Sequence, residues 1–205
     1  AMRASPGRHV AEIRDLRFIE GLRFADDKTQ TARVFVRLDG GLGRCRLTAD
    51  FHNRRGELVM ADRVYTTAAV QWSDDAPRLA PARVPECPEK GWYDLVYLGP
   101  GTMMYHGPMF QQLRRAVFGD GECWGECRIA AAPPTHDLRR QVPWTTSPAT
   151  VDACLYLGDI AQWKCSGGMM GLPRSIQSLR YGRSPQPGEE CLIYARVSAR
   201  HDDGL

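Results

Sequence analysis

One segment of the sequence places four side chains that could do chemistry on a single helical face. Asp152, Tyr156, Asp159 and Trp163 are spaced at i, i+4, i+7 and i+11, which aligns them along one side of an α-helix. The helix macrodipole favours an ionised carboxylate near the start of a helix, whereas burial raises its pKa and can keep it protonated as a general acid. Spacing alone therefore leaves two interpretations of Asp152 open, an ordinary first-turn acid and a catalytic acid.

The helix that must carry these residues is the longest one that the sequence predicts. It spans 148–165, with Ser147 as N-cap and Pro148 at the first helical position. The pair Gly167-Gly168 is expected to end it, because glycine accepts the left-handed conformation that closes many helices.

The rest of the chain is predicted to be mostly strands. A short helix is expected over 107–118, with Pro108 in its first turn and Phe110, Leu113 and Val117 on one stripe. Near-alternate apolar residues and turn residues predict strands and hairpins in the other segments. The predicted strands cover residues 10–18, 31–38, 44–51, 57–70, 122–130, 171–181 and 190–199.

Composition limits the classes of protein. The 205 residues are 43% apolar and carry a formal net charge of +3, which describes one soluble globular domain or two small ones. No apolar run is long enough for a membrane span, and the N-terminus lacks the apolar core of a signal peptide. We therefore expect a protein of the cytoplasm.

The charged residues and cysteines also indicate which partners to expect. The arginines are dispersed among the acidic residues without a basic block, which argues against nucleic-acid binding. Seven scattered cysteines favour a reducing compartment. Cys123 and Cys127 form a lone C-x3-C, which is a weak zinc signal, and we interpret them as two side chains on one face of a strand. No metal site is predicted.

Three motifs resemble those of one enzyme family in order and spacing. They are Tyr-His-Gly-Pro-Met-Phe-Gln at 105–111, Val-Asp-Ala-Cys-Leu-Tyr at 151–156, and Leu-Pro-Arg-Ser at 172–175. The chain thereby resembles the dehydratase domains of type I polyketide synthases and polyunsaturated fatty acid synthases, and the match is closest to the iterative bacterial kind. The resemblance covers most of the sequence.

This resemblance implies an α+β double-hotdog fold, in which antiparallel sheets wrap around long helices. Residues 1–72 would form the later strands of an incomplete first hotdog, 73–91 a proline-rich linker, and 92–205 the second hotdog around the helix at 148–165. Both ends look truncated relative to the family. We expect neighbouring segments, or a second copy in a homodimer, to complete the open sheet edges.

The resemblance also implies the reaction, in which water is eliminated from a β-hydroxyacyl thioester on acyl carrier protein to give a trans-enoyl thioester. Asp152 would be the catalytic acid. No cofactor would be required, because the thioester acidifies the α-carbon. The partners would be acyl carrier protein, to whose acidic surface arginine-rich surfaces are suited, and the adjacent synthase domains. The residues expected to bind substrate are Tyr105, His106, Gly107, Pro108, Phe110, Tyr156, Leu172 and Pro173.

Two positions depart from the family pattern. Tyr156 stands where the family more often has glutamine or histidine to hold the aspartate by a hydrogen bond, a contact that a tyrosine hydroxyl could also make. The family's catalytic base belongs to a His-x3-Gly-x4-Pro motif. His52 has Gly56 at the right distance but Ala61 in place of proline, so we interpret it as an exposed turn residue.

The other four histidines give no clear base. His9, His136 and His201 are expected at the surface, and His106 is expected to pack or bind substrate rather than act as a substitute base. Three hypotheses follow: an active dehydratase whose base lies on sequence not present here, an inactive dehydratase-like domain that binds carrier-tethered chains or organises the synthase, and an unrelated α+β binding module.

Overall fold

The structure is a computed structural model, and it divides into two compact units. Residues 1–81 and 173–183 belong to the first unit, and residues 82–172 and 184–205 to the second. The residues it describes are 9–21, 31–53, 55–75, 79, 83–97, 106–130, 147–166, 168, 171–180, 182–183 and 185–198. Within them, no helix is both long and apolar enough to cross a membrane.

The first unit is built on the strands β1 (His9–Phe18), β2 (Ala32–Asp39), β3 (Leu42–His52), β4 (Leu58–Ser73) and β8 (Ser175–Arg180). They form a five-stranded antiparallel sheet with the order β2-β3-β4-β1-β8. Asn53 stabilises the turn between β3 and β4, since its side-chain oxygen accepts hydrogen bonds from the backbone N–H groups of Arg55 and Glu57. His52 is exposed beside this turn, as predicted.

A buried acid joins β8 to β1 in this sheet. Glu12 of β1 accepts hydrogen bonds from Ser178 and Arg180 of β8 and from Arg14 of its own strand. These donors hold the pKa of Glu12 below its usual range, the bond from Ser178 being the largest cause. The segment 173–183 therefore returns to the first unit, although the sequence grouped it with residues 92–205. The division into first and second hotdog halves stays a prediction.

Among its described residues, the second unit packs a long helix on a four-stranded antiparallel sheet. The helix is α1 (Pro148–Ser166), and the strands are β5 (Tyr93–Asp94), β6 (Leu113–Phe118), β7 (Glu122–Arg128) and β9 (Glu190–Arg196), in the order β5-β6-β7-β9. The buried stripe of α1 follows helical spacing and meets the sheet through Ala149, Ala153, Leu157, Ile160 and Ala161.

The core of the second unit lies between α1 and β7. Leu157 and Leu113 are fully buried, and Cys123 and Cys127 of β7 join them in the same apolar cluster. The two cysteines thus lie on one face of a strand, as the sequence indicated. Burial raises the pKa of each thiol to about 12, so both behave as apolar core residues.

The prediction of a helix over residues 107–118 is wrong. The segment forms a single 3-10 turn at Pro108–Phe110 and then the strand β6. A bulge between Leu113 and Arg115 lets both Leu113 and Ala116 face the core. This i, i+3 spacing of buried residues mimics helical periodicity within a strand.

The long helix is confirmed, with one correction at its start. The hydroxyl of Ser147 makes no hydrogen bond to any residue that the structure describes. Among these residues, Ser147 therefore does not cap α1 through its side chain, contrary to the prediction. Instead, the Ser147 carbonyl accepts from the N–H groups of Thr150 and Val151. At the other end, the N–H of Gly168 bonds the carbonyl of Trp163, which is the closing bond of a Schellman motif.

Gly125 of β7 is predicted to be intolerant of any side chain. A Cβ there would lie 2.7 Å from Leu113 Cδ1 and 2.9 Å from Leu157 Cδ1, and both leucines are fully enclosed. We expect Gly125→Ala to lower the free energy of unfolding by about 1–3 kcal/mol in urea denaturation, since overpacking displaces core side chains.

Gly158→Ala is the matched control for this prediction. Gly158 lies in α1, and a methyl group added there would have nothing within 4 Å. The exchange should therefore stabilise the protein by about 0.5–1 kcal/mol through helix propensity. If Gly125→Ala left the free energy of unfolding unchanged, Leu113 and Leu157 would not be packed tightly around the Cα of Gly125.

Candidate active site

His106 is held at the entrance to a tight turn in the second unit. The side-chain amide of Gln111 donates to the His106 carbonyl at 2.8 Å, and the Phe110 N–H bonds the Gly107 carbonyl at 2.8 Å. Pro108 occupies the first position of this 3-10 turn. The motif therefore presents the His106 ring from a backbone that is fixed on both sides.

Asp152 of α1 points towards this histidine. Its Oδ2 lies 3.5 Å from His106 Nε2, and only 13% of the histidine side chain is exposed. The same Oδ2 is buried and accepts no hydrogen bond from any described residue. The contact with His106 is therefore electrostatic rather than a well-aligned hydrogen bond, and one oxygen of the carboxyl group lacks the solvation that an anion needs.

Two opposing effects act on the Asp152 carboxyl. Burial raises its pKa, and the nearby His106 lowers it, with burial the larger effect. A raised pKa is the direction that a carboxyl group needs to act as a general acid. Asp152 lies beyond the first turn of α1, so the interpretation of an ordinary first-turn acid is wrong, and its role as the catalytic acid stays a prediction.

Tyr156 does not hold Asp152 by a hydrogen bond among the described residues, contrary to the role that the sequence left open for it. Its ring instead packs against His106, with ring centroids 4.5 Å apart, and stacks on Tyr97 at 5.4 Å. Tyr97 also meets His106 edge-on at 5.6 Å. The three rings form an aromatic cluster that sets the orientation of the histidine.

Tyr97 is a site residue that sequence reasoning missed. Its hydroxyl donates to the Leu113 carbonyl at 2.9 Å and accepts from the Leu113 N–H at 3.0 Å. Desolvation raises its pKa to about 12, so it stays neutral. Tyr97 lies in no motif, and only the pairing of its segment with β6 reveals its role.

Asp159 lies on the same helix face, one turn beyond Tyr156. Burial and the negative charge of Asp152 raise its pKa to about 6, while His106 opposes the rise. The second unit therefore contains two carboxyl groups with raised pKa values near one imidazole. Such a concentration of perturbed groups is typical of functional sites.

The other predicted site residues have different surroundings. Gly107, Pro108 and Phe110 belong to the turn that follows His106. Leu172 is 77% exposed, and Pro173 begins the segment that enters the first unit. Tyr105 lies outside the described residues. The structure thus brings together His106, Asp152 and Tyr156 from two of the three motifs.

Comparison with known proteins identifies the family. A family model described as the polyketide synthase dehydratase N-terminal domain matches residues 71–205, which include His106 and Asp152. The chain therefore belongs to the polyketide synthase dehydratases. A search of curated proteins found no match.

Solved structures of this kind share the fold of the chain. The dehydratase domain from the CurH module of curacin polyketide synthase is 17% identical with a TM-score of 0.63, over 98% of this chain and 69% of that one. The dehydratase domain of RzxB from Pseudomonas fluorescens is 15% identical with a TM-score of 0.60, over 98% and 71%.

A third similar structure carries another activity in its description. It is a trans-acyltransferase polyketide synthase enoyl-isomerase, 13% identical with a TM-score of 0.59, over 98% of this chain and 74% of that one. At such identities the likeness concerns the fold alone. It confirms the predicted α+β double hotdog.

The charge of Asp159 should appear in the pH dependence of stability. The folded state keeps a proton on Asp159 up to about pH 6, whereas the unfolded chain loses it near the ordinary value of 3.8. The free energy of unfolding should therefore fall as pH rises through this window. Above about pH 6, where the carboxyl is ionised, Asp159→Asn should raise the free energy of unfolding by about 1 kcal/mol. This figure allows for the partial exposure of the side chain to solvent.

Urea denaturation of both proteins across this pH window measures the difference. The gain from Asp159→Asn should be small at the acidic end and largest above about pH 6, where the wild-type carboxyl is ionised. A gain that does not change with pH would mean that the substitution acts through packing rather than charge.

Tyr156 should orient His106 through its ring and not through its hydroxyl. Tyr156→Phe preserves the ring contact at 4.5 Å, so the ring-proton NMR shifts of His106 should stay close to those of the wild type. Tyr156→Leu removes the aromatic ring and should move these shifts towards those of a solvated histidine. Equal spectra for the two variants would contradict the role of the ring, and His52, exposed in the other unit, serves as the internal reference.

Proposed function

We propose that this chain carries the acid half of a dehydratase site, which eliminates water from a β-hydroxyacyl thioester held on acyl carrier protein. The observation that carries the proposal is the buried Oδ2 of Asp152, which lies 3.5 Å from His106 Nε2 and accepts no hydrogen bond from the residues that the structure describes. Membership of the dehydratase family supplies the substrate class.

In the proposed reaction, Asp152 donates its proton to the β-hydroxyl oxygen. The bond between the β-carbon and this oxygen breaks and water leaves, while a base removes the α-proton and its electron pair forms the new double bond. Asp152 ends as a carboxylate and regains its proton before the next turnover. Because the thioester carbonyl acidifies the α-carbon, the proposed reaction needs no metal ion and no organic cofactor.

We assign His106 to substrate binding rather than to the role of base. An acid and a base that act on neighbouring carbons must each reach the substrate, yet His106 Nε2 lies within 3.5 Å of Asp152 Oδ2. At that separation both groups can contact the same substrate oxygen. His106 is instead placed to hold the β-hydroxyl against the acid, and the His-x3-Gly-x4-Pro motif that the resemblance links with the base does not occur in the 205 residues.

The two partners that the proposal needs follow from the family. The carrier protein delivers the substrate, and the adjacent synthase domains make and use it. Tyr105, Gly107, Pro108, Phe110, Leu172 and Pro173 remain proposed substrate-binding residues beside His106 and Tyr156. Of these, the turn residues are the most directly supported, since they fix the histidine.

Asp152→Asn should abolish most of the turnover, because an amide has no acidic proton to give. In the full-length protein, we expect the rate of dehydration of a β-hydroxyacyl carrier protein to fall by about 10²–10⁴-fold, followed as the loss of water by mass spectrometry. His106→Gln should cause a smaller loss that appears mainly in KM.

Asp120→Asn, in the turn between β6 and β7, is the matched control and should turn over at the wild-type rate. Equal rates for wild type and Asp152→Asn would remove Asp152 from the mechanism. Binding of the acylated carrier protein without any turnover by the wild type would favour the inactive, dehydratase-like alternative.

A further inference from the structure

Four arginines share one exposed face of the first unit's sheet. They are Arg17 of β1, Arg37 of β2, and Arg44 and Arg46 of β3, and we call this set the arginine face. Arg37 lies directly opposite Arg44 in the strand register. Arg46 and Arg17 both lie opposite Thr67 of β4, one from each side. Arg37 and Arg44 therefore share one row of paired residues across the sheet, and Arg46 and Arg17 share the neighbouring row on the same face.

None of these four arginines has a carboxylate partner within 4 Å among the described residues, although other arginines of the same sheet do. Arg14 pairs with Glu12 at 2.7 Å, and Arg33 pairs with Asp50 at 3.0 Å. Like charges directly opposite each other on a sheet, as at Arg37 and Arg44, destabilise the fold. A surface that concentrates unpaired positive charge in this way is suited to an anionic partner.

The arginine face surrounds a concavity of about 820 Å³. All four arginines line it, and Asp15 is the one acidic residue among its lining residues. The guanidinium of Arg46 lies 4.7 Å from the centre of the Phe35 ring, so a cation–π contact helps to hold its position. The concavity thus combines a net positive lining with one oriented guanidinium.

The spacing of the arginine face matches the acidic side of an α-helix. Adjacent strands lie about 4.8 Å apart and alternate residues of a strand about 7 Å apart, so the four Cα positions are separated by about 5–16 Å. Acidic residues at i, i+4, i+7 and i+11 of a helix are separated by about 5–16 Å. We propose that the arginine face docks an acidic α-helix on the surface of a partner protein.

A nucleic acid fits the same surface less well. Duplex binding neutralises a long track of phosphates, whereas the arginine face spans only about 16 Å. Single strands are bound by stacking on several aromatic rings, and Phe35 is the one aromatic residue in the lining of the concavity. The proposal does not depend on the dehydratase reaction, because all of its residues belong to the first unit.

The test uses a fluorescent, alanine-rich helical peptide with glutamates at i, i+4, i+7 and i+11, and a second peptide of the same composition with glutamates spread around the helix. Anisotropy titration of the full chain should show tighter binding of the one-sided peptide, weakening as salt rises from about 50 to 200 mM. Arg37→Gln/Arg44→Gln should weaken this binding by about tenfold. Arg55→Gln/Arg174→Gln, which removes two exposed arginines elsewhere in the first unit, should change it less than twofold.

Thermal unfolding separates a binding effect from a folding effect. Because Arg37→Gln/Arg44→Gln removes a like-charge pair, its Tm should equal or exceed that of the wild type. Equal losses in both double variants, equal binding of the two peptides, or no binding at the lower salt concentration would overturn the proposal. So would a short DNA duplex that binds more tightly than the one-sided peptide and depends on the same arginines.

Discussion

The packing of α1 across β7 is the constraint on which the second unit depends. Leu157 of the helix and Leu113 of β6 meet over Gly125, where the lack of a side chain leaves room for both. Each leucine is fully buried, and burying such a side chain contributes about 1.5–3 kcal/mol. This contact fixes both the height and the rotation of α1 on the sheet. Every polar residue of the helix takes its position from it.

The candidate site lies at the border of this apolar contact. Asp152, Tyr156 and Asp159 each precede a buried residue of the helix stripe by one position, so they lie about 100° around the helix from the core. Such positions are neither fully solvated nor fully enclosed. That placement explains why burial raises the pKa of both carboxyl groups, while His106 reduces the effect without cancelling it.

The aromatic cluster connects the site to the sheet. Tyr97 is bound through its hydroxyl to both backbone groups of Leu113, the same residue that meets the helix. Its ring contacts His106 and Tyr156, so the core and the site share one rigid support. The first unit has a different character, with a buried, fully hydrogen-bonded Glu12 on β1 and an exposed arginine face nearby.

Local patterns in the sequence were sufficient for most elements. Alternating residues predicted the strands around Arg44 and Thr67, and a proline beside a serine predicted the start of α1. The error at 107–118 arose because a bulge in β6 reproduces helical spacing, and no local signal distinguishes the two. The N-cap at Ser147 failed because capping depends on the direction of one side chain, which its neighbours in space decide.

For the site, the sequence by itself determined which residue types were available, their order in three motifs, and the helix face that carries Asp152. Only the tertiary structure decided that His106 would approach Asp152, that Tyr156 would pack on the histidine instead of binding the acid, and that Tyr97 would join them. The reason is physical. A pKa shift and a ring contact depend on desolvation and on distances between segments far apart in the chain, whereas spacing along the chain specifies only which residues share a face.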